Sequence, residues 1–582
     1  MKNYKKVYAA FILAGGLILH GCNGIFDDLA INPNQPSMGA YFTSPSAVND
    51  AVMTMYGYMS TQRCLGASGS KTTIIRSDEA SSNSDYGKPG MFGADLNASY
   101  YTIEQPYTLM YTTASQASYI IETAPSVDFS GNEELRNAYM GEAYFWRAFA
   151  HYYLLINFRN ISPIRQMPRN GDDYVRPLEK PAAVWNFIQE DLAHAKELLP
   201  VKGYWDSKNA GRVTKASAAA LLGKAYLYRS GIEQNYGEDK TTFYSEAAKE
   251  FGDIIDGKYG TYDLTKNYAD NFDVAHENNE ESILEFQFLG DVDNAGFNPG
   301  LATSGLAFDS RGLMLPGAGV GYEGVVHNWL YNAFVNSVDK DGYTDIRMFS
   351  TMIFNDLDAS IHLRNDAGGN PVRLEGPGGY KWEELYPAKN GKEGFATVSN
   401  PLAHPFKAGI RKGIDCSMPT QTEADGTPKL VGVGAGVKEY VYNQPRAHGV
   451  NWRYIRYADV LMMYAEAVVS GGAQASNMTP LQAVNKVRGR ANMSELPSVT
   501  MADIQNERIL EFALEGHRFY DLLRWGKLAS RFTELQESDP NFKKFISADD
   551  FKGFVTNKHE WLPIPINEVN SNPYITENNP GY

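Results

Sequence analysis

The chain has 582 residues, 43% apolar and 21% charged, the balance of an ordinary folded protein with room for a large core. Its 53 Lys and Arg against 68 Asp and Glu leave a net charge of −15, which disfavours nucleic acid as a partner because that affinity runs on phosphate neutralisation. Three cysteines and ten scattered histidines show no CxxC or clustered spacing, so neither zinc nor a catalytic histidine cluster is indicated.

Residues 1–21 read as a targeting signal. Lys2, Lys5 and Lys6 make a positive start, and Val7 to Leu19 is an apolar run too short for a bilayer, which takes about 20 residues. The run ends in Leu19-His20-Gly21-Cys22. This resembles a bacterial lipobox, although His20 departs from its usual small or aliphatic residue. The resemblance implies diacylglycerol on the Cys22 thiol, cleavage before Cys22 and acylation of the new amine; several acyl chains anchor firmly where one is marginal. The plainer alternative is a secretory signal with an incidental cysteine. Residues 22–45 read as a lipidated tether, rich in Pro, Asn and Ser from residue 29 onward. No other run of 18 or more apolar residues occurs, so lipid is the expected anchor.

Residues 46–273 have helical periodicity. Helices are expected at Ser46–Thr61 with Ser46 as cap, then at Leu109–Ala124, Asn132–Phe158, Pro181–Leu199, Lys215–Ser230 and Tyr244–Asp256. Tyr139, Ala143, Trp146, Phe149, Ala150 and Tyr153 form a stripe that suits packing rather than a cofactor. Between the first two helices, Arg76 to Gly90 is polar and broken by Gly and Pro, hence loop. Ala219, Leu222, Gly223 and Tyr226 stand at the spacing of a tetratricopeptide first helix, but no strict period runs through the chain.

The pattern changes at residues 274–450. Ser282–Leu289 alternates like a strand and Val325–Val338 reads as a helix, amid long Gly-, Asn-, Asp- and Pro-rich runs. Such irregular stretches are usually functional loops. Gly319 to Gly324 spells GxGxxG, but loop rather than strand precedes it, so a dinucleotide site is not expected. His276-Glu277 lacks the second histidine of a zincin helix. Asp291 to Gly296 begins like a calcium loop, but Ala295 and Ala302 fill two ligand positions. No cofactor is expected; a structural calcium elsewhere stays open.

Helices are expected again at Arg453–Val469, at Pro480–Arg490 behind a Thr479 cap, at Asp503–Leu514 and at His517–Lys527. Glu507, Glu511 and Glu515 share one helix face. Paired carboxylates can cleave glycosides across a cleft, but Arg508, Arg518 and Arg524 stand among these, which favours structural ion pairs. The stretch carries the words Arg456-Tyr457-Ala458-Asp459-Val460-Leu461, Tyr464-Ala465-Glu466-Ala467, Asn485-Lys486-Val487-Arg488, Glu507-Arg508 with Glu511, and Glu515-Gly516-His517-Arg518 with Asp521-Leu522 and Arg524-Trp525. In this order and spacing they resemble the SusD/RagB family of bacterial outer-membrane glycan-binding lipoproteins. Asp339 to Arg347, Phe406 to Ile414, Trp561 to Ile566 and Asn579 to Tyr582 resemble other phrases of that family.

The resemblance implies a mainly α fold of degenerate tetratricopeptide-like helix pairs, with a loop-rich irregular region and a few short strands. The parts are then 46–273, a helical N-terminal region, and 274–582, a C-terminal region with a loop-rich insertion (274–450) and closing helices (451–582), packed as one globular unit. It further implies a non-enzymatic protein, lipid-anchored in the outer membrane and exposed at the cell surface. Such a protein captures oligosaccharide or polysaccharide for a SusC-like TonB-dependent transporter. Asp27 and Asp28 resemble the acidic surface-export signal of lipoproteins from these bacteria. Sugar recognition asks for aromatic faces with polar neighbours, and the family builds its ligand surface from loops. On that analogy one patch is Asp78, Asn83, Tyr86, Phe92, Tyr100 and Tyr101, and a second is Phe297, Tyr322, Tyr380 and Trp382. Trp146, Trp185, Trp329, Trp452, Trp525 and Trp561 read as packing. A peptide- or protein-binding module of a nutrient importer and a surface glycosidase are the alternative functions. The sugar, and a Cys64–Cys416 disulfide, stay open.

Overall fold

The computed structural model describes residues 42–61, 63–65, 73–81, 96–169, 171–288, 325–354, 360–365, 408–412, 424, 430–432, 438–440, 450–539 and 553–582. Within them the protein is mainly helical. Six helices fill the first half: α1 (Pro45–Ser60), α2 (Tyr101–Thr123), α3 (Glu133–Phe158), α4 (Pro181–Leu198), α5 (Lys215–Tyr236) and α6 (Tyr244–Ile255). Local chemistry starts several of them. Ser44, not Ser46, caps α1, its hydroxyl accepting the Ala47 N–H at 3.3 Å with Pro45 as first helical residue. Asn132 caps α3 through the Leu135 N–H, and Glu133 and Glu134 sit favourably in its first turn.

Two helices outrun their expected ends. α2 begins eight residues before Leu109 and carries Pro106 inside it. α5 continues past Gly231 to Tyr236. There glycine is a contact rather than a terminator: a β-carbon on Gly231 would stand 2.5 Å from the Arg524 carbonyl oxygen. Gly223 likewise admits the ring of Phe251, which would lie 2.7 Å from an added β-carbon.

Eight helices follow: α7 (Asn328–Val335), α8 (Arg347–Thr351), α9 (Tyr457–Val469), α10 (Pro480–Arg490), α11 (Met501–Glu511), α12 (Arg518–Arg524), α13 (Leu528–Ser538) and α14 (Ile566–Ser571). Capping boxes start α10 (Thr479 with Gln482) and α11 (Thr500 with Asp503). Each of α1 to α6 packs on the next, and α6 then packs on α9 and α9 on α10, so the helical array resumes across the irregular middle.

Short strands stitch that middle together: β1 (Ala80–Ser81), β2 (Ser282–Phe286), β3 (Val325–Val326), β4 (Met352–Phe354), β5 (Ala408–Ile410), β6 (Leu430–Gly432), β7 (Lys438–Tyr440) and β8 (Trp452–Arg456). β1, β3, β5 and β4 form an antiparallel sheet in that order, with Ser81 opposite Val325 and Phe354 opposite Ala408. β2 pairs with β8, and β6 with β7. Arg453 to Arg456 is therefore strand, not the start of α9, because it pairs with β2. The strand entering the closing helices is β8, whereas Phe406–Ile414 contributes β5 to the other sheet. One apolar core cluster runs from Phe42 to Ile575 and contains Trp146, Trp185 and Trp561.

Candidate functional site

The glutamate row is interior frame. α11 and the turn after it present Glu507, Glu511 and Glu515 to cations from four other segments. Arg347 bonds Glu507 at 2.5 Å, Glu511 at 3.0 Å and Asp345 at 2.7 Å. Arg456, with no exposed surface, bonds Glu281 at 2.6 Å, Glu511 at 2.7 Å and Glu515 at 2.9 Å. Arg488 reaches Glu507, Arg490 reaches Glu281 and Glu511, and Lys412 reaches Glu515 at 2.8 Å. Burial alone would raise these carboxyls, but the guanidiniums outweigh it: Arg490 and Arg456 hold Glu281 down at about 2 and, with Arg347, hold Glu511 well below the usual range. Burial also lowers the Lys412 ammonium to about 8 against the pull of Glu515. The expected ion pairs are present, with different partners. Arg508 bonds Asp459 and Asp521, Arg518 bonds Asp78, and Arg524 bonds Asp521 and Glu466. Sequence spacing could not reveal Arg347, Arg456 or Lys412 as partners, because they arrive from distant segments.

Asp78 also belongs to the frame, which corrects its place in the first ligand patch. It is fully buried, and its carboxylate accepts from Arg518 at 2.9 Å and Arg531 at 2.7 Å. Burial pushes its carboxyl up, but those two guanidiniums bring it below the ordinary value. Its carbonyl accepts from the Trp329 indole at 2.5 Å, and the Arg518 and Arg531 guanidiniums lie over that indole. Next to it, Glu79 accepts the Leu514 N–H at 3.0 Å, and burial together with Asp78 pushes its carboxyl up to about 8. Leu514 sits at φ +62° and Gly516 at φ +85°, so this turn is held in left-handed backbone by the strap from residue 73 to 81.

Tyr100 and Tyr101 stand differently. Tyr100 is the residue before α2 and Tyr101 its first, so the pair sits on a helix end rather than in a loop. Their ring centroids are 5.5 Å apart and tilted by 39°. Tyr100 packs on the core, whereas Tyr101 is 38% exposed. Tyr101 is thus partly open to solvent with the Tyr100 ring beside it, and a solvent-accessible aromatic ring suits the apolar face of a sugar. Asn83, Tyr86, Phe92, Phe297, Tyr322, Tyr380, Trp382 and Cys22 lie outside the described residues. Cys64 is buried, and Cys416 also lies outside them. Among the described residues, no cluster of three or more His, Cys, Asp or Glu could hold a metal ion.

A family model described as "SusD family" matches residues 429–582, and one described as "Starch-binding associating with outer membrane" matches residues 31–227. The chain belongs to the SusD/RagB family. A SusD-like protein of Bacteroides ovatus is 25% identical over 533 residues, covering 90% of this chain and 83% of its own. Among solved structures, a SusD superfamily protein from Bacteroides vulgatus superposes with a TM-score of 0.66 at 23% identity, covering 93% of this chain and 100% of that one. Surface glycan-binding protein A from Bacteroides thetaiotaomicron, solved in complex with laminarihexaose, superposes with a TM-score of 0.64 at 19% identity, covering 92% and 100%. The SusD/RagB words of the sequence map onto the frame: Arg456, Asp459, Glu466, Arg488, Glu507, Arg508, Glu511, Glu515, Arg518, Asp521 and Arg524 all make the ion pairs above. The residues of these family words are thus committed to structural ion pairs.

Proposed function

We propose that this SusD-family chain is a non-catalytic glycan-binding protein of the cell surface. On this reading it is anchored by lipid at Cys22 and delivers oligosaccharide or polysaccharide to a SusC-like TonB-dependent transporter. The observation that carries the glycan reading is the Tyr100–Tyr101 pair, an exposed ring on a rigid helix end. Support comes from relatives described as laminarin-binding and as bound to laminarihexaose. The carboxylates best placed in sequence for glycoside cleavage are committed to guanidiniums, which supports capture over hydrolysis.

Native gels containing laminarin, amylopectin, xyloglucan, galactomannan or polygalacturonate test the reading. At least one of the neutral polysaccharides is expected to retard the chain without releasing reducing sugar. Binding of peptides and of none of these glycans would favour an importer of peptides instead. Cys22→Ala is expected to abolish palmitate labelling and membrane retention. Affinity purification of the tagged chain from its own outer membrane is expected to bring down the transporter.

A further inference from the structure

Exposed aromatic rings are concentrated around one element. Among the described residues, the large hydrophobics classed as exposed include three aromatic ones, Tyr101 at 38%, Tyr174 at 60% and Tyr574 at 59%. All three belong to segments tied to α14. The Ile566 N–H donates to the Ala98 carbonyl at 2.8 Å, and the Asn567 amide donates to Glu104, which joins the start of α14 to the first turn of α2 beside Tyr101. At the other end, the Asn572 amide donates to the Arg176 carbonyl at 2.9 Å, two residues from Tyr174. The Asn572 side-chain oxygen in turn accepts the Tyr574 N–H at 3.2 Å.

We infer that the aromatic surface continues from Tyr101 across α14 to Tyr174 and Tyr574, forming an extended platform for a neutral glycan chain; this rests on the glycan-binding reading above. The six residues of α14 span about 9 Å, so the two ends of the platform are further apart than one sugar ring is wide. Exposed rings on an open face suit stacking along a chain rather than enclosure of a single sugar. The polar groups beside them, the half-buried Glu104 and the exposed Asn567, suit hydroxyls, and the carboxylate opposes an anionic chain. These hydrogen bonds tie the segments that carry the rings to α14, which limits the backbone ordering left to oppose binding.

The test uses the full chain in the same five polysaccharide gels. With the neutral polysaccharide that retards the wild type most, Y174A/Y574A is expected to weaken retention about tenfold, the scale of two lost stacking contacts. Y174F/Y574F, which keeps the rings, is expected to stay within about twofold, and circular dichroism checks that both variants fold. A monosaccharide from that polysaccharide is expected to bind wild type and Y174A/Y574A alike, because it is shorter than the span between the two ends of the platform. Unchanged retention of Y174A/Y574A overturns the platform while leaving glycan binding at Tyr101 intact, and would assign Tyr174 and Tyr574 to a protein contact. Retardation of the wild type by none of the five overturns both readings, and preference for polygalacturonate overturns the neutral class.

Discussion

At the scale of single residues, the interior carries many charged side chains, and most of them are paired. Arg456 alone meets three carboxylates with no exposed surface. Buried ion pairs are weak evidence for stability, but stripping one partner leaves the others desolvated and unpaired. Arg456→Ala is therefore expected to cost about 3–5 kcal/mol in urea unfolding. Glu281, held at about 2 against about 4.3 in the unfolded chain, contributes stability that is complete above the unfolded value and is lost as pH falls through 2. Glu79 has the opposite sign. Raised to about 8, it contributes stability that is complete below about pH 4.3 and is lost as pH rises through 8. Glu79→Gln removes that penalty, because the amide needs no proton and still accepts the Leu514 N–H. It is expected to raise stability at pH 8 by about 2–4 kcal/mol and to flatten the pH profile between 5 and 8, leaving the acid limb in place. Equal slopes in the two proteins would refute the assignment. The residue types announced ion pairs but not their partners: a carboxylate spacing shows a helix face, but not which cations reach it.

At the scale of elements, most helices were legible because apolar periodicity and capping residues act locally. Pro480 to Arg490 appears as expected, with its Thr479 cap. The errors fall where tertiary contact overrules a local signal. The helices expected at Leu109–Ala124 and Lys215–Ser230 extend past Pro106 and Gly231, each of which lies within a helix. Arg453 to Arg456 had helical spacing but lies in β8, paired to β2 from far along the chain. The two kinds of helical glycine make a paired test. Gly231→Ala gains about 1 kcal/mol of helix propensity, but its β-carbon meets the Arg524 backbone, so a net loss of about 1–3 kcal/mol is expected. Gly489→Ala, in α10 with nothing within 4 Å of the added carbon, is expected to stabilise by several tenths to about 1 kcal/mol. Urea midpoints of the two variants against the parent decide both.

At the scale of the molecule, the two chain halves are closed on each other. Arg76 donates to the His559 and Glu560 carbonyls at 3.0 and 2.9 Å, and the Asn579 amide bridges the Phe158 and Leu562 carbonyls. The ending was legible as a family phrase, but the partners it holds were not, since they lie some 400 residues earlier. Deleting residues 559–582 is expected to abolish the folded state, and the intact chain is expected to melt in one calorimetric transition; two separate endotherms would contradict a single core. The candidate ligand loops were the least legible, because sugar contacts need only an aromatic face in the right place and leave no spacing behind. One register pair bears on their length. Phe354 sits directly opposite Ala408, so the chain departs from the sheet and rejoins it at neighbouring positions. Closing a connection twice as long costs only about 0.6 kcal/mol more. A longer or shorter chain joining Phe354 to Ala408 is therefore expected to leave this register, and the sheet built on it, in place.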